Sequence, residues 1–308
     1  MKRLIPYLAV VTAMLIWAGA GIAVKEALVV FSPLTLIVLR FTLAVLIMLA
    51  VGLSFRRNEI LGLQVVAKRD IPLFLLGGLF QPFLYFIFET STYQSFASPT
   101  IAEAMLSTQP VFAPIFAFVL LRERVTRNNI LGIVLSTIGM LLLLLVGSDD
   151  FSLGSPWGIL LAIVTVSMSV SYSVILRRIP TRYSSLSIVF YVQSFSLILF
   201  YIVWMLMGEA SAIMNNSTLL LQHPTQLLHS SFAVLYLAIF ASVAAFVLFC
   251  YTVRKIGVTR ANVFNNIRPV FTAMLMWLIF DEVLPIWKLI GIVIIIIGLF
   301  ISQKVGKR

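Results

Sequence analysis

TIAEAMLSTQPVFAPIFAFVLLRERVTRNNILGIVLSTIGM, residues Thr100–Met140, returns later in the same chain as TRANVFNNIRPVFTAMLMWLIFDEVLPIWKLIGIVIIIIGL, residues Thr259–Leu299. The offset is a constant 159 with no gap, and eleven of the 41 paired positions are identical. They include Pro110/Pro269, Val111/Val270, Phe112/Phe271, Glu123/Glu282, Gly132/Gly291 and Gly139/Gly298. Chance similarity between apolar stretches matches mostly Leu, Val and Ile. Proline, glutamate and glycine meeting at one register indicate a duplicated unit.

The chain around this repeat is apolar throughout. Of its 308 residues 61% are hydrophobic and 11% charged, with a mean hydropathy of +1.09, whereas an ordinary soluble domain is about a quarter charged. A soluble core cannot absorb that excess, but a bilayer can. Crossing ~30 Å of hydrocarbon takes about twenty mostly apolar residues. Ten runs qualify: Pro6–Val24, Leu34–Leu53, Ile71–Ser91, Thr100–Leu121, Ile130–Gly147, Pro156–Leu176, Leu186–Met207, Phe232–Val253, Asn262–Phe280 and Ile286–Ser302. They are long, continuous and Leu-rich, without the alternation of a membrane barrel. The first run is too long for a signal-peptide core and nine more follow it, so it is read as an uncleaved helix.

The loops test this count. With the N-terminus in the cytoplasm, the inside segments hold 18 of the 22 basic residues: Lys2, Arg3; Arg56, Arg57, Lys68, Arg69; Arg122, Arg124, Arg127; Arg177, Arg178, Arg182; Arg254, Lys255, Arg260; and Lys304, Lys307, Arg308. The outside loops hold only Lys25, with Lys288 at the start of the tenth run, while Arg40 and Arg268 lie within runs. A wrong count would scramble the alternation from the error onward. The net charge of +11 therefore reports topology, and no aromatic or basic signature of nucleic-acid binding accompanies it. The single cysteine, Cys250, sits in an apolar run and forms no intramolecular disulfide. In the outside loop, Asn215 and Asn216 begin sequons that matter only in a eukaryotic secretory pathway.

Runs four and five match runs nine and ten, so the unit is five spans, residues 1–147 and then 148–308. Five is odd, so the second unit enters the membrane from the opposite side. The charges agree: Glu123 stands in basic Arg122-Glu123-Arg124, its counterpart Glu282 in acidic Asp281-Glu282-Val283. The expected fold is all-α: ten transmembrane helices as two inverted five-helix repeats, both termini cytoplasmic. Inverted repeats typify secondary transporters that expose a central site to each side in turn.

Three further signals accompany the repeat: Trp17-Ala18-Gly19 late in the first run, Pro33 with Arg40 in the second, and Pro–x12–Glu–x8–Gly–x6–Gly. The last occurs twice, as Pro110, Glu123, Gly132, Gly139 and as Pro269, Glu282, Gly291, Gly298. Over essentially its whole length the chain resembles the EamA-like family of the drug/metabolite transporter superfamily. The resemblance implies an inner-membrane, multi-pass carrier of small molecules, and export of amino acids, aromatic ones included, more than import. Sugars, nucleotide-like or phosphorylated metabolites and drugs are the alternative cargoes. The second repeat departs from the first: Ser169 stands near the position of Trp17, and no arginine answers Arg40.

Ionisable groups inside a span are expensive, so they face the bundle interior or a wet cavity. Arg40, Glu89 and Glu103 come from runs two, three and four and fall in the outer part of the membrane. The two glutamates lie about three residues, roughly 5 Å of rise, from their helix ends. Two readings stand for them: contact with headgroup water, or pairing of one with Arg40 while the other binds an ammonium or a proton. Gln81, Tyr85 and Glu89, spaced by four, share a helix face, and Gln109 lies near mid-membrane. The repeat pairs Glu103 with Asn262 and Gln109 with Arg268, putting Asn262, Asn265, Asn266 and Arg268 in one polar cluster. An arginine there suits a carboxylate or phosphate. Thr165, Ser169, Tyr172 and Ser173 share a face of the sixth run, where hydroxyls either line a cavity or bond back to the helix. Trp17 and Tyr172 suit a flat or apolar side chain. The substrate-binding candidates are therefore Trp17, Arg40, Gln81, Tyr85, Glu89, Glu103, Gln109, Ser169, Tyr172, Asn262, Asn266 and Arg268.

No cofactor or metal is expected. No Gly-x4-Gly-Lys-Ser/Thr phosphate loop is present, so transport would run on a gradient, a proton or exchange. A membrane enzyme would need a histidine-rich metal site or a carboxylate–histidine pair in the bilayer, and the two histidines, His223 and His229, lie in an outside loop. The oligomeric state is not legible in the sequence.

Overall fold

The computed structural model describes residues 4–58, 61–95, 105–145, 156–209, 224–281 and 285–304. Glu103, Glu282, His223, Asn215 and Asn216 lie outside these ranges. All regular structure among the described residues is helical. Seven helical stretches are long and apolar enough to cross a membrane: Ile5–Ala27, Pro33–Ser54, Lys68–Thr92, Pro156–Arg178, Ser185–Leu206, Pro224–Ile256 and Ile286–Gln303; Gln109–Leu121 and Arg127–Leu143 are apolar but shorter. The chain is a multi-pass, all-α membrane protein.

In chain order the α-helices begin with α1 (Ile5–Ala27), α2 (Pro33–Ser54), α3 (Ile71–Gly78), α4 (Tyr85–Ser95), α5 (Gln109–Leu121) and α6 (Arg127–Leu145). After them come α7 (Pro156–Arg178), α8 (Ser185–Leu206), α9 (Pro224–Tyr236), α10 (Ala245–Ile256), α11 (Val258–Val263), α12 (Arg268–Phe280) and α13 (Ile286–Gln303). Local sequence sets several starts. Ser32 precedes Pro33 and its hydroxyl accepts the Thr35 amide at 3.3 Å; Ser184 does the same for Ser187 at 3.1 Å. Both satisfy amide groups that the first helical turn leaves unpaired.

The expected third run is interrupted. A π turn, Leu79–Leu84, joins α3 to α4; within it Gln81 leaves helical geometry (φ −150°, ψ 122°) and its bond to Pro82 is cis. A second π turn, Leu237–Ala244, joins α9 to α10. Subtracting 159 from its bounds gives 78–85, which brackets the first. The expected ninth run is also broken, into α11, a 3₁₀ turn at Phe264–Ile267, and α12.

The 159-residue offset recurs in the helix ends. α5 and α12 each have 13 residues and start 159 apart, at Gln109 and Arg268. Each stops at a left-handed residue, Arg122 (φ 53°) and Asp281 (φ 52°), the two non-glycine residues with positive φ among those described. α6 and α13 also start 159 apart and pack directly together. A methyl placed on Gly132 would lie 2.5 Å from the Gly298 carbonyl oxygen, and one on Gly139 2.8 Å from that of Gly291. Early residues of α6 meet late residues of α13, so the pair is antiparallel. Small residues at these positions let main chain approach main chain.

The basic segments gather at one end of the bundle. Arg182 pairs with Asp70, and Tyr183 donates to the same carboxylate at 2.7 Å. The hydrogen bonds to Asp70 and then to Tyr183 raise the Arg182 pKa further above its ordinary value. Arg254 donates to the Tyr183 and Pro180 carbonyls at 2.6 and 2.8 Å. Glu123 accepts from the amides of Val258 (3.2 Å) and Thr259 (3.3 Å) and from the Thr259 hydroxyl (3.3 Å). Gly257 turns the chain there at φ +93°, where a side chain would also strike the Glu123 carboxylate. Glu26, Glu209 and His229 meet their partners at the other end.

Candidate substrate cavity

A cavity of about 310 Å³ opens between α1, α2, α4, α5, α7, α10 and the 3₁₀–α12 junction. Nine of the twelve expected residues line it: Trp17, Arg40, Gln81, Tyr85, Glu89, Gln109, Ser169, Tyr172 and Arg268. Part of its lining belongs to one cluster of buried side chains that also includes Val10, Met14, Val170, Cys250, Val253 and Ala261.

The polar wall is assembled from both halves. Gln81, Tyr85 and Glu89 all face the cavity although the helix breaks between the first two; Tyr85 donates to Glu89 Oε1 at 2.8 Å. Arg40, 6% exposed, sits with its guanidinium carbon 5.0 Å from the centroids of both Phe41 and Phe86. Cation–π attraction offsets part of the cost of removing the charge from water. Its hydrogen bond among the described residues runs from Nε to Ser242 Oγ at 3.1 Å. Glu89 is near enough to attract it electrostatically. Gln109 and Arg268 face the cavity from the first residues of α5 and α12. A small adjoining recess is lined by both of these residues together with Tyr85, Glu89, Ser107 and Asn265. Among the described lining residues the charged groups are two arginines and one glutamate.

The rest of the lining is largely aromatic. Trp17 lies against Phe246 and Phe249, with centroids 5.3 and 5.4 Å away, and its indole N–H donates to the Ala241 carbonyl at 3.0 Å. Tyr172 is 1% exposed and packs on Phe246 at 6.3 Å, and its hydroxyl has no hydrogen-bond partner among the described residues. A buried, unsatisfied hydroxyl on a cavity wall is one that a bound polar group can satisfy.

The remaining expected residues fall elsewhere. Asn262 is fully buried and bonds back to the Val258 carbonyl at 3.0 Å; Asn266 is fully buried and reaches Ser136 of α6 at 2.8 Å. Asn265, between them, lines the cavity instead. The helix break turns this neighbour inward, which a continuous-helix reading of the cluster misses. Thr165 and Ser173 bond back to their own helix at 2.8 and 3.3 Å. Phe246 and Phe249 carried no signal that set them apart from the chain's 24 phenylalanines. Glu103 lies outside the described residues.

The EamA-like transporter family profile matches residues 4–145 and again 156–303. This chain belongs to the EamA-like transporter family. As a member of that family, within the drug/metabolite transporter superfamily, it is a membrane transporter rather than an enzyme. The EamA-like chain is 26% identical over 310 residues to YetK of Bacillus subtilis, described as an uncharacterized transporter, covering 100% of this chain and 89% of that one. It is 25% identical over 290 residues to a Chlamydia trachomatis S-adenosylmethionine/S-adenosylhomocysteine transporter, covering 92% and 84%. A solved crystal structure shares the EamA-like fold at a TM-score of 0.76 and 21% identity, over 97% of this chain and 98% of that one.

Proposed function

We propose that this EamA-like chain is a secondary-active exporter of small amphipathic metabolites that carry a carboxylate, amino acids with flat or apolar side chains foremost. The observation that carries this reading is the cavity: two guanidinium groups and one carboxylate share its lining with Trp17, Tyr172, Phe246 and Phe249. Guanidinium pairs with carboxylate in a fixed fork geometry, Glu89 suits an ammonium, and the rings suit the side chain. Such a cavity would hold Arg40, Gln81, Tyr85, Glu89, Gln109, Ser169, Arg268 and the two aromatic residues Trp17 and Tyr172 as its substrate contacts.

The mechanism we propose is alternating access between two inverted five-helix halves, residues 1–147 and 148–308, with ten spans and both termini in the cytoplasm. Support comes from the paired α5/α12 and α6/α13 bounds, their paired left-handed stops, and the antiparallel glycine contact. The gathering of basic segments at one end of the bundle agrees with the charge alternation of the loops.

A second reading rests on the Chlamydia relatives: an amino acid joined to a flat nucleoside has the same carboxylate, ammonium and ring. Flux into proteoliposomes of labelled L-phenylalanine, L-leucine, phosphate sugars and S-adenosylmethionine separates the two. Arg268→Ala is expected to lose most flux of the carboxylate-bearing solute; wild-type rate and affinity in that variant would remove the anion-recognition reading. Coupling to protons through Glu89 predicts that flux follows an imposed pH gradient and that Glu89→Gln abolishes this response. Flux indifferent to both ends that idea.

A further inference from the structure

Many hydroxyls within the spans bond back to their own helix. Thr42, Thr90, Thr165, Ser194 and Thr252 each donate to the carbonyl four residues earlier, at 2.7–2.9 Å. That is the usual resting place of a hydroxyl in an apolar helix. Ser242, fully buried, is different: its oxygen accepts the Nε–H of Arg40 at 3.1 Å. The reason is the backbone. Ser242 lies in the Leu237–Ala244 π turn, where main-chain bonds reach five residues back rather than four.

The same turn is fastened from two further sides. Gln193 Nε2 donates to the Ser242 carbonyl at 2.6 Å, and Trp17 Nε1 to the Ala241 carbonyl at 3.0 Å. Three elements thus converge on two consecutive residues, and two of the three converging side chains, Arg40 and Trp17, line the cavity.

We infer that Ser242 is the positioning residue for Arg40: by accepting Nε–H it fixes the guanidinium between Phe41 and Phe86 with its terminal nitrogens presented to the cavity, while Gln193 clamps the Ser242 main chain from behind. A guanidinium has five N–H donors; with Nε engaged, the outer edge of the fork remains for a carboxylate. Ser242 acts on the ligand only through Arg40. The inference rests on reading the cavity as an anion-recognising transport site.

The test uses full-length protein in proteoliposomes and phenylglyoxal, which closes on the terminal nitrogens of arginine. Tagging of the Arg40 peptide is followed by mass spectrometry, with no substrate present. Loss of one hydrogen bond to a charged group frees the guanidinium, and Ser242→Ala is expected to speed tagging by about tenfold. Ser242→Thr, which keeps the acceptor, stays close to wild type. Gln193→Met, which only releases the clamp, gives a smaller acceleration and serves if Ser242→Ala fails to fold. Unchanged tagging in Ser242→Ala or, should that variant not fold, in Gln193→Met overturns the inference. Arg40→Gln reports separately on the parent reading: if it transports L-phenylalanine as wild type does, the cavity's role falls, whereas the tagging rates still decide what Ser242 does.

Discussion

The seam between α6 and α13 and the cavity face of α5 and α12 are built from the same repeat, yet they treat it in opposite ways. At the seam glycine stands at both members of two pairs, Gly132 with Gly291 and Gly139 with Gly298, and each glycine meets the other half's main chain. At the cavity the paired positions differ, Gln109 against Arg268. Where the two copies touch each other, glycine on both sides lets main chain approach main chain. Where they face a ligand without symmetry, matching brings no benefit. Duplication fixes the joint and frees the site.

The strongest way to break this contrast is at the seam. Gly139→Val drives a branched side chain into the Gly291 carbonyl, 2.8 Å from the first added carbon. Overpacking against a rigid neighbour costs ~1–3 kcal/mol or more, so the variant should lose most monodisperse protein in detergent and melt well below wild type. Gly21 is the control: it lines the cavity and has nothing within 4 Å of an added carbon. Gly21→Leu should leave the melting temperature unchanged and reduce flux by occupying the site. Arg268→Gln makes the cavity pair symmetric. Losing a charge-assisted contact is worth about 1.5–3 kcal/mol, so half-saturation for a carboxylate substrate should rise about tenfold or more while folding is unaffected. The smallest effect belongs to Trp17→Phe, which keeps the ring and loses the bond to Ala241. About 1 kcal/mol is at stake there, visible as a several-fold change in affinity by ligand quenching of the remaining tryptophans.

The repeat, the apolar spans and most of the cavity were legible in the sequence because each has a cheap signal. Arg40, Glu89 and Arg268 stand out because charge in an apolar run is rare, and all three line the cavity. Backbone irregularity was not legible. The third and ninth runs read as continuous helices, yet one breaks at Gln81 and the other at Phe264–Ile267. Hydrophobic runs report how much chain a bilayer can hold, not how its turns are wound. The same gap explains why Asn265 lines the cavity while Asn262 and Asn266 turn to helix and neighbour. Ser242 was invisible for that reason too: nothing about a lone serine in Phe240-Ala241-Ser242-Val243 announces a π turn.

Glu123 fastens the end of α5 to the start of α11 with a single carboxylate and three donors, at 3.2–3.3 Å. Fastened this way, the basic end of the bundle is tied by long polar bonds from a residue that stands between exposed Arg122 and Arg124. Each such bond is worth roughly 1.5–3 kcal/mol when its partner is charged, and water can replace all of them if the helices part. Parting the buried apolar cluster exposes oily surface, whereas these ties can be undone by hydration alone.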